Sequence, residues 1–240
     1  MPRSKISTAS ASDPPGGEKS AGERGAGPLL AEKAYRAILQ GLFDRTIPVG
    51  AELSQNELMR LLGLTIQPLR DALRTLETEG LVMIHARSCI QFVKADLELS
   101  RSTYQFRSLI ERAGARTFAE RGDAAEIAEM IAAHRSLIAD LERHDLGPAE
   151  EDRLGLLEEQ LHGALISSLR NPLIEMTARR LKNYVTLVRL DRLVTRPLAL
   201  RTLREHLDIL EACANRDADA AEAALAVHFQ QALQRILGMA

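Results

Sequence analysis

Glu158 and His162 stand four residues apart in LEEQLHGALISSLRNP, so a helix carries both on one face. His206, in LREHLDILEA, and His228, in LAVHFQQAL, interrupt two further strongly apolar helical runs. One carboxylate and three imidazoles from three helices of a bundle form a donor set for a divalent cation. Zinc suits that set first; Ni, Mn or Fe also accept it, and a position or two stays open for a ligand oxygen. Each histidine taken singly reads as an ordinary hydrogen-bonded residue, and only the combination carries the metal reading. His85, His134 and His144 have no partners at useful spacing and read as surface histidines.

Arg107 lies in YQFRSLIERAGA, on an otherwise apolar helix face beside Leu109 and Ile110. A guanidinium there can hold a ligand carboxylate through two parallel hydrogen bonds. The plainer alternative is a surface pair with Glu111 at i,i+4, an arrangement worth little. A metal and an arginine across one cavity would suit a small carboxylic or dicarboxylic acid.

These residues need helices to position them. From residue 96 onward the pattern predicts six helices, at about 97–121, 123–144, 149–169, 171–190, 195–214 and 217–238. The breaks fall at Gly122-Asp123, Gly147-Pro148, Asn171-Pro172 and Asn215-Arg216-Asp217. Helices of that length joined by short loops make an antiparallel bundle.

The preceding segment reads differently. Leu30, Ala34, Ile38 and Leu42 recur at helical spacing until Pro48 and Gly50 impose a turn. Ser54 and Glu57 have capping-box spacing before a short helix with an apolar face of Leu58, Leu61 and Leu62. Gly63 ends it, Thr65 can cap the next helix, and Pro68 is tolerated in that helix's first turn. Leu69, Ala72, Leu73 and Leu76 form its buried stripe and Gly80 stops it, while Gln67, Arg70, Asp71 and Arg74 make a polar face. LVMI and IQFV then read as two strands around HARSC. Three helices followed by a two-stranded wing describe a winged helix-turn-helix, whose third helix presents its first turns to base edges and phosphates.

The fold class is therefore mainly α, with three regions: a disordered Ser/Ala/Gly/Pro-rich tail (1–28), a winged helix-turn-helix (29–95) and a helical effector-binding domain (96–240). The chain's 240 residues carry a net charge of −2, and basic and acidic residues nearly balance in every region (4 and 3, 8 and 7, 19 and 23), so DNA contact must come from a few placed side chains. No apolar run approaches the roughly 18–20 residues of a membrane span. Two lone cysteines, Cys89 and Cys213, offer neither a metal motif nor a disulfide framework, and a reducing cytoplasm is the natural compartment.

The run GAELSQNELMRLLGLTIQPLRDALRTLETEGLV resembles the DNA-binding motif of the GntR transcriptional regulators. The following bundle resembles the FCD ligand-binding domain of their FadR subfamily, with six helices as in its shorter, VanR-like branch. The likeness runs over about residues 30–238. It implies that Arg70 contacts an operator, with Gln55, Asn56, Thr65 and Gln67 nearby and Arg74 and Arg87 completing the surface. It also implies that Glu158, in place of the family's usual aspartate, joins His162, His206 and His228 at the metal, and that Arg107 meets an effector acid. Two positions depart from the pattern: Ile66 replaces a DNA-contacting arginine, and Cys89 replaces a glycine common at the wing tip. A lost arginine–guanine contact is worth about 1–3 kcal/mol of discrimination, which points to an unusual operator.

The expectation is a ligand-responsive regulator, acting as a homodimeric repressor on a double-stranded operator. Two other readings stand beside it: a metabolite-binding protein that has lost sequence-specific DNA binding, and a metal-dependent enzyme. The winged helix, and the lack of a second acid or base beside the metal set, argue against the enzyme.

Overall fold

The computed structural model describes residues 21–85, 89–190, 193–236 and 238. The first helix, α1 (Ala21–Phe43), buries Ala34, Ile38, Leu39 and Leu42 but leaves Leu30 exposed. It begins inside the expected tail. Extending a helix that already exists fixes one residue per added bond, which is why 21–28 continue it despite their composition. Residues 1–20 of the expected tail lie outside the described residues.

After a turn closed by Gly50 at φ 77°, β1 (Glu52–Ser54) leads into α2 (Gln55–Leu62). Ser54 and Glu57 form the expected capping box: the Glu57 amide donates to Ser54 Oγ (3.2 Å), and the Ser54 amide donates to the Glu57 carboxylate (2.7 Å). Gly63, at φ 65°, ends α2 in the left-handed conformation that glycine tolerates best. The third helix, α3 (Ile66–Thr78), buries Leu69, Ala72, Leu73 and Leu76 as the spacing predicts. Thr65 holds its N-cap position but makes no side-chain capping bond.

The wing contains β2 (Val82–Ile84) and β3 (Cys89–Phe92). Its sheet has three strands, not two, in the order β1-β3-β2, with Leu53 opposite Ile90 and Met83 opposite Gln91. Cys89, expected at the wing tip, instead opens a paired strand opposite Ser54.

The bundle follows as α4 (Leu97–Arg121), α5 (Ala124–Arg143), α6 (Pro148–Ser168), α7 (Pro172–Arg189), α8 (Arg196–Ala214) and α9 (Ala218–Ile236). Asp96, Asp123 and Asn171 cap α4, α5 and α7 through their side chains, and prolines occupy the first turns of α6, α7 and α8. Tyr104, Phe118, Leu161, Leu165, Ile209 and Phe229 are among the side chains of the main core. Gly114 permits α4 to press on α6, because a Cβ there would lie 2.2 Å from the Leu165 carbonyl oxygen. By contrast, α7 sends Tyr184, Leu187 and Leu190 into the apolar core of the winged helix. Among the described residues no helix is long and apolar enough to cross a membrane.

Candidate metal and effector site

The bundle brings His162 of α6, His206 of α8 and His228 of α9 together in its interior. Their ligating nitrogens lie within 4.8 Å of one another, and the ring centroids of His206 and His228 are 4.9 Å apart. All three rings are buried.

Each ring is oriented by a second group on its Nδ1. His162 Nδ1 donates to Glu111 (2.5 Å) and His228 Nδ1 donates to Glu205 (2.8 Å). His206 Nδ1 lies 3.2 Å from Nε2 of His134, whose own Nδ1 donates to the Met130 carbonyl (2.7 Å). A carbonyl can only accept, so His134 carries its proton on Nδ1 and accepts at Nε2 from His206. All three site histidines thus hold their protons on Nδ1 and turn Nε2 lone pairs inward. Those three Nε2 atoms are buried and have no hydrogen-bond partner. Three converging unpaired nitrogens, each backed by a second acceptor, fit a divalent cation.

The electrostatics favour neutral rings at His162 and His206. Burial, then Arg107, pushes the His162 pKa down; burial, then His228, pushes that of His206 well below its usual value. Burial also lowers His134. The carboxylates stay ionised for the opposite reason. Burial opposes charge on Glu111, but Arg107 and His162 outweigh it and carry the carboxyl down from 4.5 to about 2. Glu205 is likewise lowered against its burial, by bonds from His228 and Arg235.

Glu158 approaches the cluster without bonding to it. Oε1 is 3.7 Å from His206 Nε2, Oε2 is 4.0 Å from His162 Nε2, and Oε2 accepts from Arg189 (2.5 Å). Burial raises its pKa, but Arg189 together with His206, His162 and His228 outweighs burial and holds Glu158 well below the usual carboxylate range.

One expectation and one alternative need correction. His134 is not a surface histidine: it is fully buried, because its partner is 72 residues away on another helix, not at helical spacing on its own. The Arg107–Glu111 pair is not a surface pair either. Its side chains are 5% and 2% exposed and joined at 2.7 Å, while Leu109, expected beside Arg107, is 70% exposed and lies on another face. His85 and His144 are exposed as expected.

Arg107 Nη1 is buried without a hydrogen-bond partner, and Arg107 lines a cavity of about 790 Å³ together with Glu158, His162, His228, Lys182 and Arg189. Sequence reading missed Glu111 as a histidine partner, along with Glu205 and Arg189. Only Arg189 had a local signal, as a charge in the apolar run VTLVRL.

On the winged helix, Thr65, Gln67, Arg70 and Arg74 lie at the start and along α3, while Gln55 and Asn56 open α2. Arg70 Nε donates to Gln55 Oε1 (3.1 Å), Gln67 donates to Asp71 (3.2 Å), and Arg74 lies 3.6 Å from Asp71. Ile66 is exposed in the first turn of α3. Arg87 lies outside the described residues.

Comparison with known proteins bears on both halves. Residues 30–92 match the family model described as bacterial regulatory proteins, gntR family, and residues 102–231 match the FCD domain. The chain belongs to the GntR family of regulators with an FCD domain. This GntR/FCD protein is 29% identical over 203 residues to the HTH-type transcriptional repressor RspR of Escherichia coli K12, covering 83% of this chain and 86% of that one. It is 25% identical to the Nta operon transcriptional regulator of Aminobacter aminovorans, over 78% of this chain and 85% of that one. Its fold is shared with a GntR regulator from Rhodococcus sp. RHA1 (TM-score 0.66, 23% identity, 90% and 99% of the two chains). E. coli McbR/YncC shares it too (TM-score 0.65, 16% identity, 87% and 97%). Family membership makes this GntR/FCD chain a DNA-binding transcriptional regulator and not an enzyme.

Proposed function

We propose that the protein is a cytoplasmic, homodimeric repressor that releases its operator when a small carboxylic acid enters the bundle cavity. His162, His206 and His228, joined by Glu158, would hold a divalent ion, with zinc the first candidate. The ion would supply a Lewis-acid anchor for a ligand oxygen. Arg107, through the Nη1 that nothing else occupies, would take a carboxylate oxygen of the same ligand. One observation carries this reading. Three buried Nε2 lone pairs and an unpaired arginine donor belong to residues of a single site, and buried polar atoms are rarely left without partners.

On the DNA side, Gln55, Asn56, Thr65, Gln67, Arg70, Arg74 and Arg87 would form the operator-facing set, with two protomers addressing a pseudo-palindrome. The exposed Ile66 supports an operator lacking the guanine that an arginine there would read.

The test uses a labelled fragment from upstream of the protein's own gene, with fluorescence anisotropy at fixed salt and excess nonspecific DNA. Binding that survives competitor, release by a subset of carboxylic acids, and loss of that release in His162→Ala/His206→Ala are the expected results. An acid response unchanged in that double variant would overturn the metal-centred reading. Failure of the wild type to outlast competitor, on this fragment and in a genome-wide selection, would favour a metabolite-binding protein without operator recognition.

A further inference from the structure

Arg189 closes α7, and the two sides of that helix have different partners. On one side, Tyr184, Leu187 and Leu190 pack into the core of the winged helix. The Tyr184 hydroxyl donates to the carbonyl of Glu79 (2.6 Å), the residue that caps the C-terminal end of α3. Asn183 donates to the Tyr35 hydroxyl (3.2 Å), which in turn donates to the Glu79 carboxylate (2.8 Å). Arg45, beyond α1, donates to the Leu190 carbonyl (2.7 Å). These bonds fasten α7 to α1 and to the end of α3 away from the expected DNA-facing turn.

The opposite side faces the cavity. At 3.6 residues per turn, Arg189 points about 160–200° away from Leu187. Its Nη1 donates to Glu158 Oε2 (2.5 Å) and its Nε donates to the Tyr104 hydroxyl (2.9 Å). Glu158 therefore has one oxygen committed to α7, while the other is the oxygen nearest His206, at 3.7 Å. A group held by the histidines acts on this carboxylate, and this carboxylate acts on Arg189.

We infer that Arg189 is a positioning residue that couples occupancy of the histidine cluster to the placement of α3, through Glu158 on one side and the Tyr184–Glu79 contact on the other. The inference rests on the proposed metal reading of the cluster and adds the route by which the DNA-binding half senses it. The physical requirement is that the occupied and empty sites differ in how they hold α7, since an occupant shifts an equilibrium only by its preference for one arrangement.

The test uses the full chain with zinc alone as probe, at saturating zinc so that a weakened site does not imitate lost coupling. Backbone hydrogen exchange is followed in 183–190 and in 76–81, and zinc binding is followed by competition with a chromophoric chelator. In the wild type, zinc should change exchange in both segments by about fivefold or more, the lower end of ordinary coupling between sites. Arg189→Gln should still bind zinc, yet show no response in either segment, and Arg189→Lys should restore part of it. Tyr184→Phe, which keeps the ring and loses only the hydroxyl, should respond in 183–190 but not in 76–81. That pattern is not produced by general destabilisation, and it remains available if Arg189→Gln does not fold. Wild-type zinc binding with no exchange response, or a full response in both Arg189→Gln and Tyr184→Phe, overturns the inference alone. Absence of zinc binding by the wild type removes the metal reading and the inference with it.

Discussion

Glu111 offers the sharpest test of how the site is built. Its carboxylate, 2% exposed, accepts from Arg107 Nε at 2.7 Å and from His162 Nδ1 at 2.5 Å. The descent of its pKa from 4.5 to about 2 is what those partners supply beyond the penalty of burial. At 1.36 kcal/mol per unit this is about 3 kcal/mol, which agrees with the roughly 3–5 kcal/mol lost when one member of a buried ion pair is removed. Glu111→Gln keeps the shape but strands the Arg107 charge and presents an amide N–H₂ where an acceptor is needed. At about 2–4 °C per kcal/mol for a chain of this length, the variant should melt roughly 6–12 °C lower at pH 7 in the presence of chelator. Zinc affinity should also fall, by about 10–100-fold, as for other partners that orient a ligating histidine.

The pH dependence has a definite sign. Because the folded carboxyl value is depressed, Glu111's contribution is complete above the unfolded value near 4.5 and is lost as pH falls from there toward about 2. The gap between wild type and variant should therefore be full at neutral pH and close on acidification through that window. Thermal and urea unfolding of both proteins across this range, with chelator competition for zinc at pH 7, supplies the measurement. A Glu111→Gln protein that melts with the wild type and holds zinc as tightly refutes the reasoning.

Four further outcomes follow from other parts of the chain. Gly114→Ala places a Cβ 2.2 Å from the Leu165 carbonyl oxygen and 2.7 Å from its carbon, so α4 and α6 must separate. A loss of about 1–3 kcal/mol is expected in denaturant melts. Gly155→Ala, where an added Cβ meets nothing within 4 Å, should instead gain about 0.5–1 kcal/mol. Cys213 is fully buried and its thiol is pushed up to about 11 by desolvation, so a colorimetric thiol titration of the native protein should count Cys89 at most, and both cysteines only after unfolding. Ile66→Arg should strengthen nonspecific DNA binding and steepen its salt dependence by about one phosphate contact, measured as the slope of log affinity against log salt.

The boundaries of the bundle helices were legible in the sequence because their signals are local. Asp96, Asp123 and Asn171 each bond to amides within three residues, and each stands where the spacing placed a helix start. The stripe of Leu69, Ala72, Leu73 and Leu76 was legible for the same reason. β1 was not, since three residues with one apolar side chain carry no period, and its partner Ile90 lies far along the chain from Leu53. The site divides in the same way. His162, His206 and His228 could be nominated from where they interrupt apolar helices, and the bundle does bring them together. Their supports could not be named, because Glu111 reaches His162 across 51 residues, Glu205 reaches His228 across 23, and His134 reaches His206 across 72.

Arg107 and Glu111 show why spacing alone cannot decide such cases. The same i,i+4 pair is worth little on a solvated face yet costs several kcal/mol to break in an interior, and what separates the two is the rotation of α4 about its axis. That rotation is set by packing: Tyr104, Ala115 and Phe118 turn inward and Leu109 turns out, which carries Arg107 and Glu111 into the bundle. Once inside, the two charges pair with each other, and Glu111 takes a second partner from another helix in His162. A reading that asked of every charge in an apolar run where its compensating partner must lie would have singled out Arg107 and Arg189. It would not have paired Glu111 with His162, or Arg189 with Glu158, across the bundle, because those pairings belong to the helix crossings and not to the order of residues along the chain.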